Sequence, residues 1–178
     1  LNIGIDFGTR FTKVCFRDSG LESAEIVNFG MDSNDPYSSM YPSALRVEPG
    51  GNLVFKENEL DGENPPVGIQ DIDFLKIRLA NLDQEGSARD WKVRPVAGAN
   101  SENEVEAICA FYLAQIIRRA KNWILSKYAK RFEGTEIRWA ANIGVPIEWY
   151  DSKKLGRFSK VAAAAWILSG DIGPEKII

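Results

Sequence analysis

Asp6, Gly8, Thr9, Arg10 and Lys13 stand close together near the start of the chain. They supply a carboxylate, a glycine, a hydroxyl and two cations, a set suited to holding a phosphate group and its metal ion. Gly8 has no Cβ, so a ligand oxygen can approach the backbone there, and the successive N–H groups of Gly8, Thr9 and Arg10 can converge on an anion. Asp6 cannot itself bind phosphate. It can hold the water shell of a Mg²⁺ ion that does. The same residues also fit an ordinary β-hairpin in which Asp-x-Gly-Thr is turn chemistry, since Asp and Gly favour turns for local reasons. Spacing alone leaves both readings open.

The elements that position these groups are legible from periodicity. Ile3, Ile5 and Phe7 alternate with Asn2, Gly4 and Asp6, and Thr12 to Phe16 resumes extended character, so residues 1 to 30 read as a β-meander. A polar loop covers 31 to 41, and Tyr41–Val47 and Asn52–Phe55 flank the turn Glu48-Pro49-Gly50-Gly51-Asn52. Lys56 to Asn100 is the least regular stretch, broken by Pro65-Pro66 and Gly86, with a short helix expected over Asp71 to Leu82.

Ser101-x-x-Glu104 is a capping box, and Val105, Ile108, Cys109, Tyr112, Ile116, Ala120 and Trp123 recur at helical steps up to a stop at Gly134. Arg118, Arg119, Lys121, Lys127, Lys130 and Arg131 near its end read as a solvated face that complements the helix dipole. Ile137, Trp139, Ala141, Ile143 and Val145 then share one face of a strand running into Pro146. Asp151 or Ser152 caps a second helix, with Leu155, Phe158, Ala162, Ala165 and Trp166 inward and Lys153, Lys154, Arg157 and Lys160 largely outward. Its alanines, 162 to 165, permit close approach to a sheet, and Gly170 ends it. The order of elements predicts an α/β domain with a mixed sheet.

The 178 residues carry a net charge of -3, which argues against a nucleic-acid partner, whose binding rests on Lys and Arg. No histidine is present, which removes His-based triads and most zinc sites. Cys15 and Cys109 are too few for a disulfide framework and read as reduced core residues, in keeping with a cytoplasmic location. No apolar run approaches the ~20 residues of a membrane span. The chain opens directly into a strand and closes at Glu175-Lys176-Ile177-Ile178, where another strand begins, so both ends read as cut from something longer.

Ile5-Asp6-Phe7-Gly8-Thr9-x-x-Thr12-Lys13-Val14 resembles the first phosphate loop of the actin, sugar kinase and heat-shock chaperone ATPase superfamily. The collinear order of Tyr41-Pro42-Ser43, the Gly50-Gly51 hairpin, Phe74 to Leu79, the helix from Ser101 and Asn142 to Pro146 is most similar to the N-terminal lobe of the seventy-kilodalton (DnaK-type) chaperone ATPase. The resemblance implies a ribonuclease H-like, actin-like lobe. Residues 1–55 and 101–178 would form its body and 56–100 a small inserted subdomain, with the second lobe lying outside this chain.

It further implies ATP or ADP with Mg²⁺ as ligands, and ATP hydrolysis by the complete parent rather than by these residues alone. Nucleotide state would control lobe closure, and a peptide client or protein partner would engage the rest of the parent. Gly8, Thr9, Arg10 and Lys13 would contact phosphate, Asp6 would hold Mg²⁺ through water, and Asp6 and Lys76 would be catalytic. Pro146 and Lys154 would form a relay, Lys154 standing where the family has an arginine. Lys76 departs from the pattern, in which lysine immediately precedes Arg-Leu; here Ile77 intervenes, a rotation of ~100° on a helix. Lys13, placed after Asp6 as in the actin branch, can take over that contact. A small-molecule kinase, an actin-like filament scaffold and a nucleotide-binding lobe without turnover remain as alternatives.

Overall fold

Alternation settles the first hairpin: Ile3, Ile5 and Phe7 on β1 (Asn2–Phe7) and Val14 and Phe16 on β2 (Phe11–Asp18) are buried, while Asn2, Asp6, Lys13, Cys15 and Arg17 face out. The computed structural model describes residues 1–20, 23–30, 37–56, 67–82, 101–146, 149 and 153–170. Cys15 is therefore exposed rather than in the core, because its place in the period-two pattern puts it beside Lys13 and Arg17.

The remaining strands are β3 (Ser23–Ile26), β4 (Tyr41–Pro42), β5 (Leu45–Val47), β6 (Leu53–Phe55), β7 (Gln70–Ile72) and β8 (Ala140–Ile143). The main sheet runs β3-β2-β1-β8, with β4 added to the end of β2. β1 is antiparallel to β2 and parallel to β8, so the sheet is mixed. A smaller antiparallel sheet runs β6-β5-β7, turned by Gly50 and Gly51 at φ 102° and 86°. The helices are α1 (Leu75–Ala80), α2 (Glu102–Lys127), α3 (Ala129–Phe132) and α4 (Lys153–Leu168). The result is a mixed α/β fold with its mixed sheet flanked by helices. The expected helix over Asp71 to Leu82 is shorter than its window, since Gln70–Ile72 pairs with β5 as a strand. Residues 83–100, the helix cap at 151–152 and the closing strand at 175–178 lie outside the described residues.

Ser101 starts α2 through the expected capping box: Ser101 Oγ accepts from the Glu104 N–H at 3.3 Å and Glu104 returns the bond at 2.9 Å. α2 ends at Lys127, and Gly134, at φ 69°, follows α3 instead. α4 packs chiefly along α2, so its alanines serve a helix contact more than a sheet contact.

Of the basic residues near the end of α2 and in α3, Arg118, Lys127, Lys130 and Arg131 are exposed as expected, whereas Lys121 and, in part, Arg119 turn inward. Lys121 is buried, its ammonium 4.3 Å from the Trp166 ring centroid and 5.5 Å from that of Trp139. Arg119 lies over Phe55 and Tyr41, Arg118 donates to the Leu168 carbonyl, Lys127 pairs with Glu25, and Arg131 with Asp18. Long cationic stems lie readily along apolar and aromatic surface, which is why charge type alone misplaces Lys121 and Arg119.

Thr12, Ser43 and Tyr112 meet inside the core. Thr12 Oγ1 is 2.9 Å from Ser43 Oγ and 2.9 Å from the Tyr112 hydroxyl, which also lies 2.9 Å from the Pro42 carbonyl oxygen. The tyrosine has one proton, and the carbonyl can only accept, so Tyr112 donates to Pro42 and receives from Thr12, which receives from Ser43. Burial pushes the Tyr112 hydroxyl well above its ordinary range, with Thr12 and Ser43 opposing. In the small sheet, Arg46 (Nε) and Lys56 (Nζ) grip Asp71 at 2.8 and 3.0 Å.

Tyr112→Phe leaves the buried Pro42 carbonyl and Thr12 hydroxyl short of a partner and is expected to lower unfolding free energy by about 1–3 kcal/mol in urea titration; unchanged stability would refute the linkage. Burial raises the Asp71 carboxyl, but Arg46 and Lys56 outweigh it and hold it below the ordinary range. A carboxyl lowered on folding stabilises above its unfolded value, and that contribution disappears as pH falls through the folded one. The urea midpoint of the parent should therefore drop more steeply than that of Asp71→Asn below about pH 4.

Candidate functional site

β1 and β8 run parallel, and their carboxyl ends meet where Gly144 N–H donates to the Ile5 carbonyl at 2.9 Å. Such ends are where open α/β sheets place ligands. Asp6 lies there, exposed, directly opposite Lys13 on the neighbouring strand. Directly opposed residues project to the same face with Cβ atoms about 5 Å apart, so carboxylate and ammonium share one surface.

Lys76, in the first turn of α1, approaches from another direction. Burial pulls its ammonium below the ordinary lysine range, and the negative charge of Asp6 opposes that pull. Asp6 thus has Lys13 across the ladder and Lys76 from the helix. α1 is entered through a left-handed residue, Phe74, at φ 57° and ψ 44°. Phe74 is the one non-glycine at positive φ among the described residues, a conformation that costs an L-residue about 1–2 kcal/mol. Arg78 helps to fix this entry through Nε to the Asp73 carbonyl at 2.8 Å and N–H to the Phe74 carbonyl at 3.0 Å.

The loop itself differs in one respect from its sequence reading. Gly8 N–H donates to the Asp6 carbonyl at 3.0 Å, so it closes the turn internally instead of pointing outward. A Cβ on Gly8 would sit 2.2 Å from the Phe11 carbonyl oxygen, so glycine is required by the chain's own backbone rather than only by an approaching ligand. Thr9 and Arg10 are exposed and line a cleft of about 160 Å³ together with Pro42 to Ala44, Lys56, Asp73 and Phe74. Ser43 anchors the tip by donating its N–H to the Arg10 carbonyl at 2.7 Å.

Pro146 and Lys154 are brought together by a residue that sequence reasoning missed. Trp149 donates its backbone N–H to the Pro146 carbonyl at 3.0 Å, and its ring lies 5.6 Å from the Lys154 ammonium and 5.7 Å from that of Lys76. The same ring packs at a tilt against Phe158 at 5.0 Å, and Phe158 reaches Phe7, the neighbour of Asp6, at 6.2 Å. An aromatic three residues beyond Pro146 was the available signal; only the fold shows that two lysines share it. Among the described residues no group of three or more acidic, cysteine or histidine side chains could hold a metal ion alone, and no helix is long and apolar enough to cross a membrane.

Replacing Asp6 by Asn removes the charge that supports the Lys76 ammonium, so Lys76 should lose its proton at a still lower pH. NMR titration of ¹³C-methylated lysines measures this, and an unmoved Lys76 midpoint would separate the two groups. No protein-family model and no curated protein matches this chain, so a functional reading rests on this geometry and on the motif resemblance.

Proposed function

We propose that the chain is one lobe of an actin-like ATPase of the heat-shock chaperone type, in which Asp6, Thr9, Arg10, Lys13 and Lys76 face the phosphates of ATP or ADP. The observation that carries this reading is the exposed Asp6 carboxylate set opposite Lys13 at the carboxyl ends of the parallel pair β1 and β8, with the Asp6 charge also acting on the half-buried Lys76 of α1. A structural hairpin has no use for a carboxylate whose charge acts on a half-buried lysine of another element. A phosphate site does, because phosphoryl transfer relies on positioning and charge stabilisation.

The residues fit a hydrated Mg²⁺ with phosphates. Mg²⁺ commonly keeps several waters and takes only one or two carboxylates, so Asp6 suffices on this side. Bound Mg-ATP would supply the transferable phosphoryl group and the metal charge that offsets its negative charge. Lys13 and Lys76 would bind and orient that group, and the exposed Thr9–Arg10 tip would border it. On this reading Trp149, Lys154 and Pro146 lie where a change at Lys76 would be felt, in keeping with nucleotide-dependent lobe closure acting on a client or partner.

Calorimetric titration of Mg-ATP and Mg-ADP into the full-length protein tests the reading. Each charge-assisted bond is worth about 1.5–3 kcal/mol, so Lys13→Ala and Lys76→Ala should each weaken binding by roughly 10- to 150-fold. Phosphate release under saturating Mg-ATP should be lost in Asp6→Asn. Equal affinity of both lysine variants and the parent would remove the phosphate site.

A further inference from the structure

The geometry points to Arg157 as a positioning residue that sets where Lys76 stands, by clamping the far end of α1 to α2 and α4. Basic residues on this stretch of α4 were expected to face solvent, but the Arg157 side chain is only 6% exposed. From α4 its guanidinium reaches two other elements, α1 and α2. Nη1 donates to the Leu79 carbonyl at 3.3 Å, Nε and Nη2 donate to Glu102 Oε1 at 3.3 and 3.1 Å, and Glu106 lies 3.8 Å away.

Why this matters follows from the length of α1. A helix of six residues is far below what holds together unaided, so its place is decided by its attachments. At the entry, Leu75 N–H donates to the Ser43 carbonyl and the Cys109 thiol reaches the Leu75 carbonyl. At the exit, the Leu79 carbonyl belongs to the last turn and has no partner within the helix, and Leu79 is fully buried. Arg157 fills that vacancy with a donor and brings a cation to the negative end of the helix dipole. Its planar fork serves a carbonyl and a carboxylate at once, which a lysine ammonium does less well. Lys76 lies on this short helix between the two anchors.

Its importance for catalysis rests on the nucleotide reading above; its effect on Lys76 does not. Lysine acylation by a succinimidyl ester, mapped by mass spectrometry on the full-length protein, reads the surroundings of Lys76 directly. Arg157→Met should make Lys76 severalfold more reactive while Lys13 and Lys154 keep the parent rates, and Arg157→Lys should recover part of the protection. Because Arg157→Met leaves Glu106 buried beside an apolar side chain, Arg157→Met/Glu106→Leu is measured in parallel, as it keeps the α2 and α4 seam apolar. Parent-like Lys76 reactivity in either folded variant overturns the inference, as does an equal rise at all three lysines, which would mean general loosening. If Lys76 alone is exposed but the parent binds no Mg-ATP, the clamp stands and the nucleotide reading falls.

Discussion

A chain of three buried hydroxyls organises this fold. Thr12 belongs to the hairpin, Ser43 follows the short strand at its end, and Tyr112 comes from the middle of the long helix. Each would be expensive to bury alone, and together they leave one proton for the Pro42 carbonyl. Ser43 extends the chain through its backbone, accepting from Leu75 and donating to Arg10. The loop tip, the entry of α1 and the core helix are therefore tied to a single residue, and the distance between the loop and Lys76 follows from it.

Charge plays an internal part in this molecule that its modest net value conceals. Lys121 between two indoles, Arg119 over two rings, Arg157 at the seam of α2 with α4 and the Arg46, Lys56 and Asp71 cluster all hold elements together. Pairs of this kind contribute less to stability than to geometry, since desolvation offsets much of the attraction. Their directional demands suit a structure in which short elements, such as α1 and β7, cannot fix their own positions.

How much of this could be read beforehand depended on the range of the forces involved. The hairpin, the Gly50-Gly51 turn, the capping box of α2 and the inward faces of both long helices were legible because period-two and helical patterning are local. Lys76 is the instructive case: its spacing argued against a phosphate contact, while the influence of the Asp6 charge on it depends on how α1 packs, which has no sequence signature of its own. Arg157, Lys121 and Arg119 were misassigned for a related reason. Whether a long cation lies in water or against an aromatic face is decided by residues far away in the chain, such as Phe55 or Trp166.

The tight closure of the first turn bears on how related sequences should be interpreted. Since the Phe11 carbonyl occupies the space a side chain at position 8 would need, this hairpin demands glycine whatever the loop does. On the proposed phosphate reading, a homologue that had lost nucleotide binding would still keep Gly8 for as long as it kept the hairpin. The groups free to drift in such a lineage are the outward ones, Asp6 and Lys13, together with Lys76. Their joint retention or joint loss, and not the glycine, is what bears on the proposed phosphate reading.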